Sequence, residues 1–162
     1  MATTLTERFR FISPVQTETP FHVTGFTGVE GLHRLFDFHI DLVCADAAVD
    51  TGKLLAAPCR FEILRDGDAA PAVFSGYPAR VEQRGFFNGY AYYSVHLRPT
   101  LWKLTQLRQS AVFLNKKLED VLRELINSQT FFQFPHEFRL TAGDYPAPEF
   151  AMQYQETLYD YI

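Results

Sequence analysis

Apolar and polar residues alternate with a period of two along the first part of the chain, which is the pattern of strands with one buried face. The clearest run is Arg34-Leu-Phe-Asp-Phe-His-Ile-Asp-Leu-Val43. It sets Phe36, Phe38, Ile40 and Leu42 on one side and Asp37, His39 and Asp41 on the other, as in an antiparallel sheet wetted on one face. Phe9 and Phe11 alternate with Arg8 and Arg10 in a short first strand ahead of Ser13-Pro14. Phe21 to Thr27 reads as a second strand, ended by Gly28. Asp46 to Pro58 is a connector holding one helical turn at Lys53-Leu54-Leu55. Cys59 to Leu64 is the next strand, closed by the turn signal Asp66-Gly67-Asp68. Val73 to Gln83 is extended but carries Gly76 and Pro78, which predict a bulge or an edge position. Asn88-Gly89 is a hairpin turn signal, and Tyr90 to Leu97 pairs back across it with Tyr93, Val95 and Leu97 on one face.

The pattern shifts after Pro99. Leu101, Leu104 and Leu107 line a short helix that flanks Trp102, and Ala111 to Leu114 is a short apolar run. The spacing of Leu118, Val121, Leu122, Leu125 and Ile126 predicts a helix over 118–129, with Glu119 and Asp120 in its first turn, where the helix dipole favours them. Phe131 to Pro148 is loop-rich, with one short strand around Phe138-Arg-Leu140. Phe150, Met152 and Tyr154 then alternate as a half-buried strand. Thr157 caps a final helix marked by Leu158, Tyr161 and Ile162. That helix has barely closed one turn, with no Gly or Asn stop, no last-turn Lys or Arg and no trailing Pro. The chain therefore reads as part of a longer protein, cut inside an element, since one turn does not stand alone. The expected organisation is a first β-barrel-like domain over 1–98 and the start of a second over 99–162, truncated at the C-terminus. The expected fold class is β-rich: mainly antiparallel and barrel-like, with one or two short helices.

Composition sharpens this. The chain of 162 residues is 47% hydrophobic and 21% charged, which is ordinary, but 15% aromatic, with 16 Phe and 8 Tyr against 1 Trp. Such an excess suits pleated surfaces and protein–protein contact. A formal charge of −4 and no basic stripe exclude nucleic acid as a partner class. Cys44 and Cys59 show neither CxxC nor Cys/His ligand spacing and read as reduced core thiols. The N-terminus lacks the basic and apolar regions of a signal peptide, and no run approaches the ~20 apolar residues of a membrane span. A cytosolic start and no stable membrane insertion are expected.

Candidate chemistry is thin. Gly25, Gly28 and Gly31 lack the spacing and the Lys of a phosphate loop, and neither a G-x-S-x-G elbow nor H-E-x-x-H occurs. Asp37, His39 and Asp41 share a strand face, which suits a metal or acid/base cluster, although a solvated face accounts for them as well. Glu156 and Asp160 are four apart at a helix start, where dipole pairing is the simpler role. Tyr90, Tyr92 and Tyr93 suit either a sugar-stacking platform or cross-strand packing. Trp102 suits an interface or a core anchor.

Four segments together resemble one family. They are Val29-Glu-Gly-Leu-His-Arg-Leu-Phe-Asp-Phe-His-Ile-Asp-Leu-Val43, Pro99-Thr-Leu-Trp-Lys-Leu104, Val112-Phe-Leu-Asn-Lys-Lys-Leu-Glu-Asp-Val-Leu122 and Gln153-Tyr-Gln-Glu-Thr-Leu-Tyr-Asp-Tyr-Ile162. In order and spacing they are similar to the N-terminal region of VgrG, the valine-glycine repeat spike protein of type VI secretion, itself similar to the baseplate hub of contractile phage tails. His33 stands where that family often has Ser, Leu35 where it has Pro, Thr100 where it is often aromatic, and Ala111-Val112 lacks its usual Arg.

The resemblance implies a phage baseplate hub-like fold and a non-enzymatic structural part, with no catalytic residue, metal or cofactor. It implies a homotrimer that meets the hexameric tube protein, hemolysin-coregulated protein, on one side and leads into the spike on the other. Spike-tip and effector proteins are the further partners. Assembly would take place in the cytoplasm, followed by delivery outside the cell. The interface residues expected on that basis are Phe36, Phe38, Tyr92, Trp102 and Tyr154. Two rival readings are a small β-barrel that binds a ligand or glycan through Tyr90, Tyr92 and Trp102, and a metal-dependent hydrolase built on Asp37, His39 and Asp41.

Overall fold

A computed structural model of the chain describes residues 8–65, 70–128, 137, 139 and 145–162. The chain divides into two compact units, the break falling between Pro99 and Thr100.

The first unit contains β1 (Phe9–Ile12), β2 (His22–Gly31), β3 (Arg34–Cys44), α1 (Thr51–Ala56), β4 (Cys59–Ile63), β5 (Ala72–Phe87) and β6 (Tyr90–Arg98). The strands form one antiparallel sheet in the order β1-β4-β5-β6-β3-β2. The sheet curls until its two edge strands approach, with the rings of Phe9 on β1 and Phe26 on β2 packed edge to face at 5.0 Å. Inside the curl lie Phe11, Phe21, Phe38, Ile40, Leu42, Phe61, Tyr93, Val95 and Leu97. The alternating residues predicted to face inward on β3 and β6 do so, because a pleated strand presents every second side chain to the same face. Phe38 and Phe74 sit 4.6 Å apart, and Phe26 and Phe61 4.9 Å apart, in the tilted and edge-on geometries that aromatic rings favour. The buried Tyr93 keeps its polar end paired, its hydroxyl donating to the Asp46 carbonyl oxygen at 3.1 Å. Asp50 caps α1 by accepting from the Lys53 amide at 2.9 Å, and the helix drops Leu54 into the core.

One expectation is overturned here and another is met. Gly28 does not end β2, which runs on to Gly31; position 28 is small because the Phe38 ring lies directly against it. β5 lies inside the sheet order, yet Pro78 is paired on its β6 side only, beyond the end of the β4 pairing. Its first part pairs with β4 over Ala72–Gly76 and its remainder with β6 over Tyr77–Phe87, so Pro78 is accommodated by a register shift before Arg80. The bulge foreseen at this Pro is therefore present. Asn88 (φ 52°) and Gly89 (φ 82°) form the tight hairpin turn, with Phe87 opposite Tyr90.

The second unit contains a 3₁₀ helix (Thr100–Gln106), β7 (Arg108–Leu114), α2 (Leu118–Ser128), β8 (Phe150–Thr157) and α3 (Leu158–Tyr161). β7 and β8 pair antiparallel. Leu104, Phe113, Val121, Leu125 and Leu158 make its core. The Leu158 amide donates to the Leu107 carbonyl oxygen at 3.0 Å, and the Thr157 hydroxyl accepts from the Asp160 amide at 3.1 Å, which seats and caps α3.

β8 is a strand as expected, but its faces are reversed. Phe150, Met152 and Tyr154 are exposed, while Gln153 is fully buried. The Gln153 amide is satisfied on both sides, donating to the Glu156 carbonyl oxygen and accepting from the Gln109 amide, each at 3.2 Å. The turn expected at Asp66-Gly67-Asp68, the last helical position Gln129, and the strand expected at Phe138 and Leu140 lie outside the described residues.

Candidate functional site

Two kinds of surface stand out. The first is a polar cluster on the outer face of the sheet in the first unit. His39 on β3 and His96 on β6 are direct register partners, and their rings stack 3.9 Å apart at 21°. Asp37, two residues before His39, falls on the same face. Its Oδ2 accepts from Arg98 Nη2 at 2.7 Å and from Arg98 Nε at 3.1 Å. Its Oδ1 contacts His96 Nε2 and lies 3.7 Å from His39 Nε2. Partial burial raises the Asp37 carboxyl, but the hydrogen bonds from His96 and Arg98 outweigh it and hold the group below its ordinary 3.8.

The expected trio of Asp37, His39 and Asp41 is thus not what the fold assembles. Asp41 turns to Arg84, whose Nη1 is 3.7 Å from its Oδ1 and whose Nη2 donates to the Ser94 hydroxyl at 3.0 Å. His96 and Arg98 take its place beside Asp37 and His39. They come from another strand, so only the β3–β6 register carries that information. The nearest sequence signal is a His on the outward face of each of two amphipathic strands.

The second kind of surface is aromatic and apolar. The β5–β6 hairpin exposes Phe86, Phe87, Tyr90 and Tyr92, with Phe87 72% exposed. Tyr92 lies opposite Gly85, where an added side chain would meet nothing within 4 Å. In the second unit, Val112 pairs with Met152 and Leu114 with Phe150, and all four are exposed together with Tyr154.

Of the five residues expected at an interface, Tyr92 and Tyr154 lie open on these surfaces. Phe36 is half-buried and packs edge to face on Phe74 at 5.6 Å, and Trp102 is half-buried in the 3₁₀ helix. Phe38 is a core residue, 4% exposed, and offers no surface to a partner. Tyr93 belongs to the core, which leaves Tyr90 and Tyr92 as the outward pair on β6. Cys44 and Cys59 are free and buried, as expected of core thiols.

A curled antiparallel sheet with few short helices matches a phage-tail-like hub fold. The chain belongs to the phage tail baseplate hub family, whose model matches residues 29–162. Among its relatives are the type VI secretion system spike proteins VgrG1c and VgrG1b of Pseudomonas aeruginosa. VgrG1c is 30% identical over 83% of this chain, and VgrG1b is 28% identical over 97% of it. The chain spans about a fifth of the length of these relatives, 18% and 20% respectively.

A solved Escherichia coli component of the type VI secretion system, described as structurally similar to the T4 bacteriophage tail proteins gp27 and gp5, matches with a TM-score of 0.74. The match has 22% identity and covers 94% of this chain and 41% of that one. The VgrG complex with PdpA from Francisella, in its half-lidded form, matches with a TM-score of 0.53 at 14% identity, over 96% of this chain and 23% of that one. At these identities the structural likeness speaks for the fold.

Proposed function

We propose that this chain is the hub part of a type VI secretion puncturing device, a structural element that works as a homotrimer. In this reading residues 1–98 are the first tube domain and residues 99–162 open the second hub subdomain. One side of the trimer meets the hexameric ring of hemolysin-coregulated protein, and the other continues into the spike that carries tip and effector proteins. Its work is assembly in the cytoplasm followed by delivery out of the cell, without catalysis. The observation that carries the reading is the family match over residues 29–162, in a chain whose open surfaces hold Tyr90, Tyr92, Met152 and Tyr154. Exposed aromatic and Met side chains are what protein interfaces enrich.

The test is the solution mass of the protein at its full natural length, by light scattering, alone and with the tube protein. Three copies per particle, and a complex with the hexamer, are expected. A stable monomer that ignores the hexamer overturns the reading.

One observation favours a second reading. Phe87 and Tyr90 are register partners and Tyr92 follows on the same face, an aromatic platform open to a glycan or other flat ligand. Saturable shifts of these three ring signals in a nuclear magnetic resonance titration with oligosaccharides, from a monomeric protein, are the result that separates this reading from the hub.

A further inference from the structure

We infer that Asp37, His39 and His96 form a binding site for one divalent transition-metal ion of the zinc, nickel or copper class. The site goes beyond the hub reading and does not depend on it. The three residues each offer one ligand atom, and these atoms lie within 4.8 Å of one another. Bonds of about 2.0–2.1 Å around a tetrahedral ion place neighbouring donors roughly 3.3 Å apart. The 3.7 Å between His39 Nε2 and Asp37 Oδ1 already approaches that spacing. What remains is release of the Arg98 Nε hydrogen bond to His96 Nε2, a small opening between that nitrogen and the same oxygen, and a rotation of two stacked imidazoles so that their lone pairs converge.

The backbone supplies the preorganisation. His39 and His96 are fixed as partners by the β3–β6 register, and Asp37 is held on the same face of β3. Arg98 supplies the support. Its Nη2 and Nε donate to Asp37 Oδ2, which anchors the carboxylate and leaves Oδ1 aimed at the two imidazoles, while Nε also donates to His96 Nε2 at 3.2 Å. An outer partner that orients a ligating carboxylate in this way is a regular part of metal sites.

Charge does not forbid the ion. Around the site Arg80, Arg84 and Arg98 are matched by Asp37, Asp41 and Glu82, with Arg80 bound to Glu82 and Arg84 beside Asp41. The donor set selects the class: two imidazole nitrogens with one carboxylate suit zinc, nickel and copper, whereas calcium and magnesium want oxygen ligands. Access is open, since the His39 side chain is 60% exposed.

The test is calorimetric titration of the chelator-treated protein with Zn²⁺ and, separately, Ni²⁺ at neutral pH. One ion per chain is expected, with a rise in thermal midpoint when the metal is present. His39→Ala and His96→Gln are each expected to weaken binding by at least about 10-fold. His33→Ala, at the exposed β2–β3 turn, is the control and leaves binding unchanged. His39 is the decisive variant because its exposed ring can be removed without opening the core, and circular dichroism checks that the fold persists. Absence of saturable binding, or binding that survives His39→Ala, overturns the site and leaves an Asp37–Arg98 ion pair beside two stacked rings.

Discussion

Gly28 on β2 and Phe38 on β3 are register partners, and the Phe38 ring occupies the space a side chain at position 28 would need. A Cβ there would also come within 2.8 Å of the Asp37 carbonyl oxygen. Gly28→Ala is therefore expected to destabilise the protein by ~1–3 kcal/mol, read as a lower urea midpoint at unchanged slope. Gly76→Ala belongs at the upper end of that range. Its Cβ would lie 2.7 Å from the Arg98 carbonyl carbon, and backbone yields less readily than a ring.

Phe38 and Tyr154, both expected at an interface, differ in burial. Phe38 packs against Phe61 and Phe74 inside the curl, whereas Tyr154 is 64% exposed. Phe38→Ala is expected to cost ~3–5 kcal/mol, and Tyr154→Ala to stay within about 0.5 kcal/mol. Chemical denaturation of both variants side by side checks this. A large loss for Tyr154→Ala would mean that the outer face of β8 is covered.

Alkaline pH should loosen the first unit. Burial pushes the Cys59 thiol up from 9.0 to about 11, against a weaker opposing hydrogen bond with Ser13. Burial also raises the Tyr93 hydroxyl above its ordinary 10.0. The folded state then holds these protons more tightly than the unfolded chain, so the stability they contribute is complete below pH 9 and is lost as pH rises toward 11. The Cys59 part amounts to ~2–3 kcal/mol. Urea midpoints from pH 8 to pH 11 should fall for the parent protein, and fall less for Cys59→Ala.

The open aromatics of the hairpin should matter more to association than to folding. Phe87→Ser is expected to leave the unfolding free energy within about 0.5 kcal/mol, since Phe87 is 72% exposed, and Tyr92→Ser, at 39% exposed, to cost about 1 kcal/mol. In the full natural-length protein the pair should lower the mass seen by light scattering. An unchanged mass in both variants would mean that these side chains carry no contact of the proposed trimer.

Much of the fold is legible in the chain. Alternation along Arg34–Val43 and Tyr90–Leu97 names the inward residues of β3 and β6, Asn88-Gly89 names the hairpin, and the spacing of Val121 and Leu125 names the buried side of α2. These features are local: a period of two or 3.6 and the conformational demands of a tight turn act over a few residues, so a few residues report them.

What tertiary structure alone decided is which face is covered and which strands are neighbours. Alternation on β8 says that Phe150, Met152 and Tyr154 share a side, but packing in the second unit turned the other side inward, with Gln153 at its centre. Gly28 looked like a stop because the Phe38 ring against it lies on another strand. The Asp37–His39–His96 cluster, with Arg98 behind it, exists only through the β3–β6 register. That register joins residues 59 and 61 positions apart, and no local period carries such a contact.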